Sequence, residues 1–138
     1  MRVLALDVGQ RRIGLALSDP TGLIATPLGF IQRKGQSYNV DMVLKKAVEK
    51  DAGSILVGLP LTPRGQKGSQ AREVEAFRQA LSQSTDLPVV TWDERFSTQE
   101  AERLMRESGR QPSREKGQSD AVAAAVILQT YLDSMRKP

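Results

Sequence analysis

The chain contains no cysteine and no histidine. Without thiols, neither a disulfide nor thiolate chemistry can be built. Without imidazole, Ser-His-Asp and Cys-His mechanisms are excluded, as is a zinc site with Cys or His ligands. Aromatic residues are few, namely Phe30, Tyr38, Phe77, Trp92, Phe96 and Tyr131. Most of them fall on apolar stripes, so stacking on bases is not expected to be the main source of affinity for a nucleic acid. No apolar run is long enough to cross a bilayer and no signal-peptide pattern opens the chain, so a cytoplasmic protein is expected. Any catalysis must therefore rest on carboxylates, hydroxyls, Lys, Arg, or a hard metal held through oxygen.

The 138 residues suit one domain spanning 1–138, large enough to bury about two-thirds of the surface of its unfolded form. A net charge of +4, with a pI near 9.7, is consistent with a polyanionic partner.

The first nineteen residues read as a hairpin: two short apolar runs, Val3 to Val8 and Ile13 to Leu17, flank a link containing Gly9. Asp19-Pro20-Thr21-Gly22 signals a turn. Leu23 to Ile31 reads as a third strand, whose Pro27 and Gly29 point to an edge position or a bulge. Val40, Val43, Leu44, Ala47 and Val48 recur at helical spacing up to Lys50. Ser54 to Gly58 is a continuously apolar strand suited to cover on both faces. Residues 62–70, with Gly65 and Gly68, are expected to form a mobile loop, and Ala71 to Gln83 a second helix. Pro88 to Trp92 is a further strand leading into Asp93-Glu94-Arg95. A helix capped by Ser97 or Thr98 is expected to run to about Glu107, with Glu100 completing a capping box if Ser97 is the cap. A Gly/Pro/charge-rich loop then precedes a long alanine-rich helix over Ser119 to Met135. The order β-β-β-α-β-α-β-α-α describes an α/β protein with a mixed sheet, helices on both faces and open strand ends.

Three acids fall where chemistry could use them. Asp7 ends the first strand, Glu94 follows the last strand, and Asp120 is expected in the first turn of the final helix. Asp120 shares a stripe with Ala124, Ile127 and Tyr131, so it points with the apolar face. A carboxylate there must be neutralised, ion-paired or satisfied by a metal. In a chain without His or Cys, three such acids can form an oxygen-only site for Mg²⁺ or Mn²⁺. Two ions about 3.5 to 4 Å apart would activate water and stabilise the leaving oxygen in phosphodiester hydrolysis. Asp93 is the alternative to Glu94, because neighbouring strand residues face opposite ways. Around the acids stand Arg11, Arg12, Arg64, Lys67, Arg95, Arg106, Arg110, Arg114 and Lys116, a cationic set able to hold a phosphate backbone. Arg11 and Lys116 lie nearest in sequence to Asp7 and Asp120.

Asp7-Val8-Gly9 with Arg12-Ile13-Gly14, Gly58-Leu59-Pro60, Asp93-Glu94-Arg95 followed by Ser97-Thr98, and Lys116 leading into Asp120-Ala121-Val122-Ala123-Ala124-Ala125 resemble the bacterial YqgF/RuvX family across nearly the whole chain. That family is associated with Holliday junction resolution and with nuclease processing of precursor ribosomal RNA. The resemblance implies an RNase H-like fold with a mixed five-stranded sheet flanked by helices. It implies Asp7, Glu94 and Asp120 as catalytic acids binding a divalent metal, and a role in trimming the 5′ end of pre-16S rRNA. Resolvase-type relatives often carry a fourth acid one helical turn beyond the last. Ala123 stands there in this chain, which leaves the number of metals, one or two, open.

Two rival classes share parts of this pattern. An actin-like or sugar-kinase ATPase also begins with an Asp-x-Gly hairpin, but such enzymes enclose ATP between two domains, and residues 62–70 lack a P-loop pattern. A binding factor for RNA or a transcription complex would gain nothing from three intact acids facing a polyanion. A junction resolvase would act as a two-fold dimer, and the sequence leaves monomer or homodimer open.

Overall fold

The computed structural model describes residues 1–96 and 116–136. The expected helix over Ser97 to Glu107, its caps and Glu100, and the loop that follows it lie outside the described residues. Five strands are described: β1 (Arg2–Val8), β2 (Arg12–Ser18), β3 (Ala25–Gln32), β4 (Ala52–Leu59) and β5 (Val89–Asp93), with three helices, α1 (Gln36–Glu49), α2 (Ser69–Gln83) and α3 (Lys116–Arg136). The sheet runs β3-β2-β1-β4-β5. β1 pairs antiparallel with β2 and parallel with β4, β5 lies parallel to β4, and β3 lies antiparallel to β2.

Alternation along each strand sorts side chains into two cores. Leu4, Leu6, Val8, Ile55 and Val57 face α1 and α2, where Val40, Val43, Val74, Phe77 and Leu81 meet them. Ala5, Ala16 and Leu56 face α3 and its Ala124, Ala125, Ile127 and Leu128. The second core is built largely of alanines, and small side chains on both sides let helix and sheet approach closely. This close packing brings the start of α3 to the end of β1.

Ser54 to Gly58, the run suited to cover on both faces, lies in β4, between β1 and β5. The β3 reading also holds: β3 is an edge strand, with a register irregularity opposite Leu15 and Ala16, where Pro27 and Gly29 sit. Gly29 has φ of 120°, a backbone state that favours glycine. Asp19 anchors the preceding turn by accepting bonds from the amides of Leu23 (2.8 Å) and Ile24 (2.9 Å) and from Thr21, which holds its carboxyl well below the usual range, the Ile24 amide being the main cause.

Four details differ from the sequence reading. α3 starts at Lys116 rather than Ser119, because Gly117 is carried inside the helix; a long helix tolerates the roughly 1 kcal/mol cost of one glycine. Asp120 therefore lies in the second turn. Residues 62–66 fold back on themselves, with the Thr62 amide bonded to the Gln66 carbonyl (2.9 Å) and the Gln66 amide to the Thr62 hydroxyl (3.1 Å). α2 takes up Ser69 and Gln70 from the expected loop. Val48 is 80% exposed, off the buried stripe of α1.

Candidate active site

Asp7 stands at the end of β1, paired in register with Gly14 of β2, on the α3 side of the sheet like Ala5. Glu94 opens a short 3-10 turn directly after β5. The two carboxyl groups are hydrogen-bonded to each other. Burial raises the Asp7 carboxyl to about 6, helped by the negative charge of Asp120 and opposed by the bond with Glu94. Burial also raises Glu94, to about 8, with the charge of Asp7 and their shared bond adding to it. Two acids this close hold one proton between them near neutral pH, mostly on Glu94.

Asp93 takes a different course. It turns to Arg95, which donates from its backbone amide (2.9 Å) and from its guanidinium (2.6 to 3.1 Å). That pairing holds the Asp93 carboxyl below its usual range. Trp92 packs toward α3, so Asp93 projects the other way, and the 3-10 turn brings Glu94 back to Asp7. Of the two neighbouring acids, Glu94 is the one joined to Asp7.

Asp120 is half-buried and accepts a 2.6 Å bond from Arg12 Nε at the start of β2. Because a helix dipole acts mainly over the first turn, its partner here is Arg12. Two glycines make the arrangement possible. A Cβ on Gly14 would lie 2.1 Å from the backbone oxygen of Asp120, so only glycine lets α3 seat at this depth. A Cβ on Gly58 would lie 2.9 Å from Ile127 and 3.0 Å from the Glu94 side chain. Gly58 thus makes the space that Glu94 occupies. The sequence signal for both was a lone glycine inside an apolar strand, which marks a close approach, but nothing in the sequence said what approaches.

The cations separate into groups. Arg11 is exposed at the β1–β2 turn, and Arg64 and Lys67 are exposed on the 62–68 segment. The charge of Lys67 acts on Glu75 of α2. Arg95 is engaged by Asp93 and also donates to the Pro63 carbonyl (3.3 Å), while Arg12 is engaged by Asp120. Arg106, Arg110 and Arg114, and the side chain of Lys116, lie outside the described part of the structure. Two crevices of about 110 and 70 Å³ flank the Arg33–Glu73 ion pair. They open on the α1/α2 face, away from the acids.

Residues 1–134 match the sequence profile of a family described as RuvX, Holliday junction resolvase. The chain belongs to the RuvX family. A relative from Synechococcus sp. (strain JA-2-3B'a(2-13)), named "Putative pre-16S rRNA nuclease", is 47% identical over 136 residues, covering 99% of this chain and 80% of the relative. One of the same name from Chloroflexus aurantiacus (strain ATCC 29366 / DSM 635 / J-10-fl) is 42% identical, covering 97% and 88%. Among solved structures, T. thermophilus RuvC in complex with Holliday junction substrate superposes with a TM-score of 0.63 at 15% identity, over 98% of this chain and 96% of that one. Fowlpox virus resolvase with its substrate junction DNA gives 0.62 at 10% identity, over 99% and 100%. At these identities the likeness establishes the fold, which is the RNase H-like fold expected from the sequence. Membership of a family of nucleases and resolvases makes this chain a nuclease by class.

Among the described residues no three carboxylates stand close enough to enclose a cation as placed. The donor chemistry nonetheless fits a hard divalent ion: oxygen ligands only, at converging strand and helix ends. Asp7 and Glu94 are held together by a proton, and Asp120 by a guanidinium, both of them positive charges that a cation could replace.

The buried acid pair makes the metal-free fold sensitive to pH. Unfolded, Glu94 releases its proton near 4.5, whereas the folded chain keeps it up to about 8. Between these values the unfolded state binds fewer protons, so stability falls as pH rises. Glu94→Gln is expected to leave the melting temperature at pH 5 nearly unchanged and to raise it at pH 8, by on the order of 2 kcal/mol of stability. Thermal melts in EDTA at both pH values check this, and equal shifts at the two would refute the buried proton.

Proposed function

We propose that this chain is a divalent-metal-dependent nuclease that hydrolyses phosphodiester bonds in RNA and trims the 5′ end of pre-16S rRNA as a cytoplasmic, single-domain protein. The observation that carries the reading is the buried Asp7–Glu94 pair, with Asp120 near enough to raise Asp7 further. A site that concentrates negative charge at such a cost calls for a cation and a phosphate, not for a passive polyanion surface. The names of the relatives from Synechococcus and Chloroflexus support the RNA substrate.

In this reading Asp7, Glu94 and Asp120 hold the cation. When bound, it would lower the pKa of an attacking water and offset charge on the leaving oxygen. The chain's own residues do the rest. Asp7, at the centre, is bonded to Glu94 and stands within reach of the charge of Asp120, which Arg12 holds. Arg11, Arg12, Arg64, Lys67, Arg95, Arg114 and Lys116 grip phosphates on either side of the scissile bond. Gly14 and Gly58 hold α3 and Glu94 at working distance.

The family's description as a resolvase favours a second reading, cleavage of branched DNA by a homodimer. A labelled pre-16S 5′ segment and a four-way DNA junction, each incubated with Mn²⁺, Mg²⁺ or EDTA, separate the two. Metal-dependent cutting of the RNA is expected. Preference for the junction in competition would move the assignment to the resolvase, and binding without cutting of either, indifferent to EDTA, would make the chain a binding factor.

A further inference from the structure

We propose that Arg12 is the resident counter-ion of Asp120, displaced from it when a divalent cation enters and thereby freed to take a phosphate oxygen of the nucleic acid. This deepens the reading above and rests on it. The Nε–Oδ2 contact is 2.6 Å, with both side chains only about a quarter exposed (23% and 28%).

The geometry favours an exchange over a fixed brace. The Arg12 backbone is pinned, since its carbonyl accepts from the Gly9 amide (2.9 Å) and its strand pairs with Gln32. The Asp120 backbone is pinned as well, seated on Gly14. The side chains alone are left to move. Arg12 engages Asp120 through Nε, and among the described residues no hydrogen bond is formed by its two terminal nitrogens. A guanidinium offers five donors in a planar fork suited to phosphate, so most of its capacity stays open at the edge of the site.

Charge balance points the same way. Three carboxylates carry about −3 when ionised, Arg12 offsets one of these charges in the empty site, and a divalent ion would offset two and take over that task. Arg12 and the cation repel each other while both lie on Asp120, and the arriving phosphate is where the guanidinium can go. The side chain would then cap Asp120 in the empty enzyme and hold substrate in the loaded one, which makes Arg12 a positioning residue for metal and phosphate together.

The test is calorimetric titration of Mn²⁺ into wild type, Arg12→Gln and Asp7→Asn at low salt, with exposed Lys45→Gln as a charge control. Arg12→Gln is expected to bind Mn²⁺ about tenfold more tightly, Lys45→Gln to match wild type, and Asp7→Asn to lose binding. With Ca²⁺ in place of Mn²⁺, Arg12→Gln should bind RNA more weakly, with the salt slope reduced by about one phosphate contact. Unchanged or weaker Mn²⁺ binding by Arg12→Gln, or an unchanged RNA salt slope, overturns the exchange. If Asp7→Asn also binds Mn²⁺ like wild type, the acid-held cation itself fails. A measurement on wild type covers the case of a variant that does not fold: the arginine Nε–H resonance of Arg12 should shift on titration with Mg²⁺, and a fixed resonance at saturation refutes the proposal.

Discussion

Asp7→Asn is expected to lower hydrolysis by at least about 1,000-fold, equivalent to about 4 kcal/mol of transition-state stabilisation, while leaving affinity for the nucleic acid unchanged or stronger. Asn has nearly the shape of Asp but cannot carry the charge that the proposed cation needs at the centre of the site. It also removes a negative charge facing the phosphate backbone, so binding without turnover should not suffer. The same substitution relieves the cost of ionising a buried group, since burial is the main reason the Asp7 carboxyl is raised. The variant should therefore melt higher than wild type at pH 8 in EDTA, by on the order of 1 to 2 kcal/mol. Single-turnover cleavage, equilibrium binding and a thermal melt on one preparation check all three. Activity within tenfold of wild type would remove Asp7 from the chemistry, and an inactive variant that melts lower would assign the loss to the fold.

Gly14→Ala should be the most damaging methyl group in the described structure. The new Cβ would fall 2.1 Å from the Asp120 oxygen and 2.4 Å from its carbonyl carbon. Both are backbone atoms of a helix, so no rotamer change relieves the clash, and α3 must lift from β2 by roughly 1 Å. A cost of about 3 kcal/mol follows from such overpacking, or roughly 10 °C in melting temperature for a chain of this size. Activity should fall further than stability, because a displacement of about 1 Å at a reacting centre can cost on the order of 100-fold. Denaturant titration and cleavage at 20 °C, where the variant is still folded, separate the two effects. A melting temperature within about 2 °C of wild type would mean that Gly14 does not set the depth of α3.

The elements were legible in the sequence because the hydrophobic periods of the strands and of α1 and α2 are clear, and because Pro27 and Gly29 announce an edge. The helix start at Lys116 was not, because glycine reads locally as a stop and Gly117 is outweighed by the packing of the long helix that follows it to Arg136. The acids could be picked out by their places at element ends, yet Asp93 and Glu94 could be ranked only by reach. What separates them is the 3-10 turn after β5 and the pull of Arg95 on Asp93. In the sequence Arg12 is one more phosphate cation. Its partner lies 108 residues away, and no local pattern encodes such a pairing. The two spacing glycines carried a signal for proximity without identity, since closeness in a strand interior is written in composition but the approaching group is written elsewhere in the chain.

The irregular outer strand has a consequence for assembly. β3 forms one edge of the sheet, and there Pro27 has no N–H to donate, while the register shifts between Pro27 and Gly29, the latter at φ of 120°. A second molecule approaching along that side meets an interrupted row of donors and acceptors, so two sheets cannot be stitched into one continuous ribbon. Phe30, about half exposed on the same strand, is left to contact side chains instead of templating strands. The fold thus guards itself against end-to-end polymerisation at the border where an all-apolar strand would otherwise invite it.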